Sequence, residues 1–357
     1  MVFKMVKKVF VTDCEGPLTL DDNAYELAAY YIENGSELFK IISAFDDYLV
    51  DIKKEPNYFA GGTLKLITPF FKLVSLKNND LVNYSKDNIH TVPGLDYVFS
   101  IQDSSIKSYI ISTSYGQYIE ALCNYINFSF ENTYYTVLDL SIVDAIDEEI
   151  KKIEEFRKII LNHGNNTEED YEVLYDIFFN QIPKMKISKI VDSVNPIGGK
   201  GKELALRDIV KKCNIEGDKN AIMYSGDSIT DVEALQYAKD NDGLAISFNG
   251  NEYAINAANI AVISDNAIMT AILRDLFIKY ETKEILKFVK KYHDKGPDVA
   301  FDCYEVDSNL VSQFEELYKS KEIPVMDVIN DENKEYLLNL SKKMRVKIRG
   351  DDIGGLG

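Results

Sequence analysis

Three short stretches of the 357-residue chain place oxygen-bearing side chains directly after an apolar run that is typical of a buried strand. Asp13 and Glu15 follow the first run, residues 112–114 (Ser-Thr-Ser) follow the second, and Asp227 and Asp231 follow the third. In an open parallel sheet, ligands bind beyond the carboxyl ends of the strands, so we expect these side chains to meet at one edge. Carboxylates from two strands can share one Mg²⁺ ion, which keeps positions for water and a phosphate oxygen. The pattern predicts a magnesium site for a phosphorylated ligand.

The segments that carry these residues predict a sheet covered by helices on both faces. Strand character occurs at residues 9–13, 109–111, 221–225, 244–247 and 260–263, and helical segments separate these runs. Strands that alternate with helices are typical of an α/β fold with a parallel sheet. The fold class predicted from the sequence is therefore α/β.

The chain is long enough for this sheet and for additional segments. The capping residues near Asp21 and the turn-rich residues 163–166 mark two helical insertions. The predicted division is a core of residues 1–20, 93–137 and 197–278, a helical cap of 21–92, a second helical insertion of 138–196, and a mainly helical C-terminal segment of 279–357.

Composition and charge exclude several classes of partner. Acidic residues outnumber basic ones 58 to 40, and a formal charge of −18 repels a nucleic-acid backbone. No apolar stretch approaches the ~20 residues of a membrane helix, which predicts no membrane insertion. The four cysteines form no CxxC pair, so neither a zinc site nor a disulfide framework is indicated, and a reducing cytoplasm is the expected location.

Four motifs occur in a fixed order along the chain. They are DCEGPLT at residues 13–19, IISTS at 110–114, KGKE at 200–203 and GDSITD at 226–231. Their order resembles the haloacid dehalogenase (HAD) superfamily, and the last two motifs look most like its phosphoserine-phosphatase-like branch. The resemblance implies a HAD-like Rossmannoid parallel sheet with a helical cap inserted after the first strand and a second helical insertion.

The resemblance also implies a function. It is the Mg²⁺-dependent hydrolysis of a phosphomonoester, a small phosphorylated metabolite, through an aspartyl-phosphate intermediate. The motifs then give each matching residue a role: catalysis by Asp13 and Glu15; phosphate binding by Ser112, Thr113 and Lys200; metal binding by Asp13, the backbone carbonyl of Glu15, Asp227 and Asp231; and support by Thr19, Gly226 and Ser228.

Several alternatives stay open at this point. Most phosphatases of the superfamily have Asp where Glu15 stands. Lys202 competes with Lys200, and Thr113 or Ser114 could take the role of Ser112. A phosphotransferase of the same mechanism is a close variant of the hydrolase. The chain also resembles archaeal HAD-like proteins labelled energy-converting hydrogenase A subunit R, which implies an accessory subunit with little or no activity. A homo-oligomer or a larger complex is compatible with either interpretation.

Overall fold

The computed structural model describes residues 7–101, 103–143 and 147–354. The parts of the predicted segments at 1–6, 102, 144–146 and 355–357 lie outside the described residues. Within the described residues the chain forms a mixed α/β fold around a seven-stranded sheet. The predicted fold class is confirmed.

Strands β2, β1, β4, β5 and β6 pair in parallel. The strands of the sheet stand in the order β3-β2-β1-β4-β5-β6-β7, and β7 is antiparallel to β6. Parallel strands buried on both faces consist of nearly continuous apolar residues, as the sequence of β1 shows. The strand bounds are β1 Lys8–Thr12, β2 Ile106–Tyr115, β3 Thr133–Thr136, β4 Ile222–Gly226, β5 Leu244–Phe248, β6 Ile260–Ile263 and β7 Val325–Val328.

Strand β1 lies at the point where the strand order reverses. It pairs in parallel with β2 on one side and with β4 on the other. At such a switch point, a crevice opens at the carboxyl ends of the two adjacent strands whose connections run in opposite directions, here β1 and β4. The residues that follow β1 and β4, Asp13 and Asp227, therefore leave the sheet side by side.

Helices make up most of the remaining chain. The helix bounds are α1 Asn23–Tyr31, α2 Gly35–Asp51, α3 Thr63–Leu66, α4 Thr68–Leu73, α5 Asn78–Asp87, α6 Leu95–Ser100, α7 Gly116–Tyr125, α8 Ile150–Asn162, α9 Glu168–Tyr175, α10 Ser188–Ser193, α11 Lys200–Lys212, α12 Val232–Asp240, α13 Glu252–Ala257, α14 Ile268–Lys279, α15 Thr282–Lys295, α16 Pro297–Cys303, α17 Ser308–Tyr318 and α18 Lys334–Gly354.

The contacts divide the chain into two compact units. The first comprises the described parts of Met1–Leu20, His90–Ile111 and Lys202–Gly355, and the second comprises those of Asp21–Ile89 and Ser112–Gly201. This division differs from the predicted one at four places. Residues 112–137 and 197–201 group with the two helical insertions, whereas residues 90–92 and the C-terminal segment group with the core.

Strand β7 and helix α18 explain why the C-terminal segment belongs to the first unit. Residues Val325–Val328 pair with Ile260–Ile263 and extend the sheet. Leu337 of α18 is fully buried against Ile255, Ala261 and Ile263. The sequence pattern predicts mostly helix here and does not indicate β7, because a four-residue edge strand between helices has too little periodicity to be recognised.

The second unit contains a buried carboxylate on α2. Asp46 Oδ2 accepts hydrogen bonds from the backbone N–H groups of Thr63 (3.0 Å) and Gly61 (3.2 Å) and from the Thr63 hydroxyl (2.9 Å). Burial raises the pKa of Asp46 although these hydrogen bonds oppose the rise. Its neighbour Asp47 is also affected: burial, with the charges of Asp46 and Asp51, raises the pKa of Asp47 to about 7.

The raised pKa of Asp47 predicts how the free energy of unfolding changes with pH. A folded-state pKa above the unfolded value means that the stability present at low pH is lost as the pH rises from about 4 through 7. We expect Asp47→Asn to raise the free energy of unfolding at pH 8 by at least about 1 kcal/mol, with no gain near pH 4. Denaturant unfolding at both pH values measures this difference. Asp192→Asn, at an exposed position of the same unit, is the control, and an equal gain at both pH values would contradict the prediction.

Candidate active site

A tight loop after β1 positions Asp13. The Asp13 backbone N–H donates to Ser225 O (2.8 Å), and Asp13 Oδ1 accepts from the Cys14 N–H (2.7 Å). Thr19 N donates to Cys14 O (3.0 Å), which closes the loop, and the Thr19 hydroxyl also approaches that oxygen (3.5 Å). This geometry fits the supporting role that the resemblance gives to Thr19. Asp13 is 4% exposed, so its carboxylate is almost entirely shielded from bulk solvent.

Gly16 brings the loop after β1 against the residue that follows β4. Its φ of +103° is a conformation that residues other than glycine rarely adopt. A Cβ at this position would also collide with the carboxylate of Asp227. The glycine therefore permits the close approach of the two loops.

The turn after β4 is organised around Asp231. Asp231 Oδ2 accepts from the backbone N–H groups of Asp227 (3.0 Å) and Ser228 (3.1 Å), as expected where a short 3-10 turn, Ile229–Asp231, leads into α12. A Cβ on Gly226 would meet the side chain of Asp231. Gly226 thus contributes to the turn through its backbone, whereas Ser228 contributes through its backbone N–H and through its hydroxyl, which lies 3.0 Å from Thr230 Oγ1 and 3.4 Å from Asp231 Oδ2.

A buried lysine joins the two loops. Lys202 Nζ lies 2.8 Å from Asp13 Oδ2 and 2.8 Å from Asp231 Oδ1, and its side chain is 0% exposed. Burial alone would lower the pKa of Lys202, but the charges of Asp13 and Asp231 outweigh it, so the net pKa lies above the ordinary lysine value. The lysine is therefore charged.

The contacts of Lys202 bear on the choice between Lys200 and Lys202. Both residues lie in the first turn of α11, and two residues along a helix correspond to about 200° of rotation, so the two side chains leave opposite sides. Lys200 belongs to the second unit, whereas Lys202 belongs to the first and contacts Asp13. Of these two lysines, Lys202 is thus the one whose ammonium group lies beside Asp13.

Tyr224 is a site residue that the sequence analysis missed. Its hydroxyl, fully buried within β4, donates to Asp231 Oδ1 (2.8 Å). Burial and the nearby charge of Asp231 raise the pKa of Tyr224 well above its ordinary value, so the phenol keeps its proton. Asp231 also accepts from Lys202 Nζ, from the backbone N–H groups of Asp227 and Ser228 and, at 3.4 Å, from the Ser228 hydroxyl. Asp231 thus holds the Lys202 ammonium group, the Tyr224 hydroxyl and the start of the turn after β4 in place.

Asp13, Asp227 and Asp231 form a group of buried carboxylates that could hold a metal ion. One ligand oxygen from each lies within 4.8 Å of the others. Burial raises the pKa of Asp13, the charge of Asp231 adds to the rise, and Lys202 opposes it. An added cation would favour the ionised form of Asp13. An all-oxygen donor set suits a hard divalent ion such as Mg²⁺.

Two arginines of α18 also contact this group, and the sequence analysis missed them. Arg345 Nη1 lies 2.5 Å from Asp227 Oδ2, and Arg349 Nη1 lies 3.5 Å from the same oxygen. The contacts join residues more than 100 positions apart in the chain. No local pattern could have revealed them.

The other predicted site residues lie as follows. Glu15 follows Asp13 in the same loop, where its backbone pairs with Thr19 in an isolated β-bridge. Ser112 and Thr113 lie near the end of β2, in the second unit. The Thr113 hydroxyl donates to Ile197 O (3.1 Å), and Ser112 Oγ accepts from Ser114 N (3.1 Å). The roles of Glu15, Ser112 and Thr113 stay predictions.

The fold occurs in a solved structure over nearly the full chain. The gene product AF1437 from Archaeoglobus fulgidus covers 98% of this chain and 99% of its own, with 27% identity and a TM-score of 0.79. An apo phosphoserine phosphatase matches 77% of this chain and 100% of its own, with 13% identity and a TM-score of 0.43. A substrate-bound phosphoserine phosphatase matches 75% of this chain and 97% of its own, with 12% identity and a TM-score of 0.46.

Two further comparisons give no functional label. No protein family and no curated protein matches the sequence at a significant level.

Within the described residues, no helix has the length and apolar character needed to cross a bilayer.

Proposed function

We propose that this protein is a Mg²⁺-dependent phosphatase of the HAD type that hydrolyses a small phosphorylated metabolite through an aspartyl-phosphate on Asp13. The observation that carries the proposal is the buried Asp13 beside Lys202, within a carboxylate group at the carboxyl ends of two adjacent parallel strands. A carboxylate nucleophile, a fixed cation and a metal site are the parts that phosphoryl transfer through a covalent intermediate requires.

The residues around Asp13 fit the metal that this chemistry uses. Asp13 and Asp227 would hold Mg²⁺, together with the backbone carbonyl of Glu15, while Asp231 fixes Asp227 and Lys202 in place. Bound Mg²⁺ supplies positive charge that offsets the phosphoryl oxygens and orients the phosphate for displacement.

The protein's own groups then carry two displacements. The Asp13 carboxylate attacks phosphorus, the ester P–O bond breaks, and Glu15 donates a proton to the departing oxygen. Glu15 next removes a proton from a water molecule, which attacks phosphorus, releases inorganic phosphate and restores Asp13. Lys202 offsets the negative charge of Asp13 and of the phosphoryl group throughout. In a phosphotransferase, the hydroxyl of a second substrate would take the place of water.

Removal of the metal tests the proposal. We expect the wild-type chain to release inorganic phosphate from at least one member of a phosphomonoester panel when Mg²⁺ is present. Treatment with EDTA should reduce this rate roughly a hundredfold or more, because positive charge at the phosphoryl group is lost, and Mg²⁺ should restore it. Phosphate release is the measurement, and repeating it with added alcohols detects phosphoryl transfer.

Two outcomes of this screen would overturn parts of the proposal. An absence of turnover across the panel would reject the phosphatase and favour the accessory-subunit interpretation. Turnover that is unchanged after EDTA would reject the role of the metal.

A further inference from the structure

Helix α18 buries one stripe of side chains within the first unit. Leu337, Ser341 and Arg345 are spaced four residues apart and are its buried residues, and Arg349 continues the same spacing. Residues four apart lie on one side of a helix. The exposed residues Lys342 and Lys343 lie between them on other sides.

The first part of the stripe anchors the helix. Leu337 packs in the apolar cluster beside β6, and the Ser341 hydroxyl donates to Gly250 O (2.6 Å). The contacts of Ser341 and Leu337, about one and two turns earlier in the helix, therefore fix the position of Arg345 beside the carboxylate group.

The second part of the stripe supplies positive charge to Asp227. Arg345 Nη1 contacts Asp227 Oδ2 (2.5 Å) and also lies near Asp227 O (3.3 Å) and Asn249 O (3.2 Å). Arg349 Nη1 lies 3.5 Å from Asp227 Oδ2, and Arg349 Nε donates to Leu20 O (2.9 Å). The side chains of Arg345 and Asp227 are 5% and 3% exposed, so little water screens this pair.

The three carboxylates are thus already matched by cations of the protein. Lys202 contacts Asp13 and Asp231, while Arg345 and Arg349 contact Asp227. A divalent ion on Asp227 must share or displace a guanidinium group that holds Asp227 Oδ2. The negative charge that would attract the ion is smaller than three carboxylates alone would provide.

We propose that Arg345, assisted by Arg349, is an internal counter-ion of Asp227 that lowers the affinity of the carboxylate group for divalent cations. Helix α18 thereby sets the metal concentration at which the site fills. The inference rests on the proposed function, because it concerns the same metal site, but it assigns the C-terminal helix a role that the four motifs do not contain.

Binding of Mn²⁺ to the full chain tests the inference without an activity assay. The free-ion EPR signal of Mn²⁺ gives the dissociation constant for the wild type, Arg345→Gln and Lys343→Gln. We expect Arg345→Gln to bind Mn²⁺ at least about tenfold more tightly, because a hydrogen-bonded charge no longer competes for Asp227. Lys343→Gln removes one positive charge from the exposed side of the same helix and should stay within about twofold of the wild type.

Thermal melting supplies a second readout. Without metal, Arg345→Gln should melt at a lower temperature than the wild type, because the buried Asp227 keeps only the longer contact with Arg349. Saturating Mn²⁺ should then raise the melting temperature of this variant more than that of the wild type. An equal rise in both proteins would overturn the inference.

The outcomes separate this inference from the proposed function. Equal or weaker Mn²⁺ binding by Arg345→Gln would overturn the inference and leave the metal site standing. An absence of Mn²⁺ binding in both proteins would overturn the metal site as well. If Arg345→Gln does not fold, Arg349→Gln removes the longer contact and should tighten binding roughly threefold, and unchanged affinity there would overturn the inference.

Discussion

Asp13→Asn is expected to reduce phosphomonoester turnover roughly ten-thousand-fold or more, because an amide cannot form the acyl-phosphate that splits hydrolysis into two displacements. The asparagine has nearly the same shape, and its carbonyl oxygen can still accept from the Cys14 N–H. The loop after β1 should therefore keep its conformation. Steady-state phosphate release with the best substrate of the panel measures the effect.

A matched control separates this loss from a general effect of removing a carboxylate. Asp218→Asn alters an exposed aspartate of the same unit and should leave turnover within about twofold of the wild type. Turnover by Asp13→Asn that equals that of the wild type would reject Asp13 as the nucleophile.

The second large effect is expected at Lys202. Lys202→Met should lower turnover roughly a thousandfold, because no fixed cation then offsets the charge on Asp13 and on the phosphoryl group. It should also lower the free energy of unfolding by about 3 kcal/mol, since two buried carboxylates lose their partner. Kinetics and denaturant unfolding measure the two changes.

Lys200→Met is the paired control, since it removes the same charge two residues earlier on α11. We expect its free energy of unfolding to stay within about 0.5 kcal/mol of the wild type and its loss of turnover to be far smaller than that of Lys202→Met. A larger loss at Lys200 than at Lys202 would restore the assignment that the motif order suggested.

The parts of the fold that depend on local patterns could be predicted from the sequence. The buried strands were recognised because parallel strands covered on both faces consist of apolar runs, and the strand ends placed Asp13, Asp227 and Asp231 at one edge. The contact of Lys202, rather than Lys200, with Asp13 could not be predicted from the motif, because it depends on the rotational phase of α11. A motif gives the helix start only within one or two residues.

The contacts that join distant parts of the chain could not be predicted in this way. Tyr224 reads as an ordinary apolar residue of β4, yet its hydroxyl donates to Asp231. Arg345 lies 118 residues from Asp227, in a segment that resembles no catalytic motif. Strand β7 has too few residues for its pattern to show that it completes the sheet.

The two site glycines have a consequence for how this sequence can change. Gly16 leaves the space that Asp227 fills, and Gly226 leaves the space that Asp231 fills. Each pair is therefore complementary in volume, and the acid cannot become smaller to admit a larger residue without losing its carboxylate. In related sequences that keep the chemistry, we expect each glycine to be retained together with its facing acid, and phosphate release should be absent where either glycine is replaced.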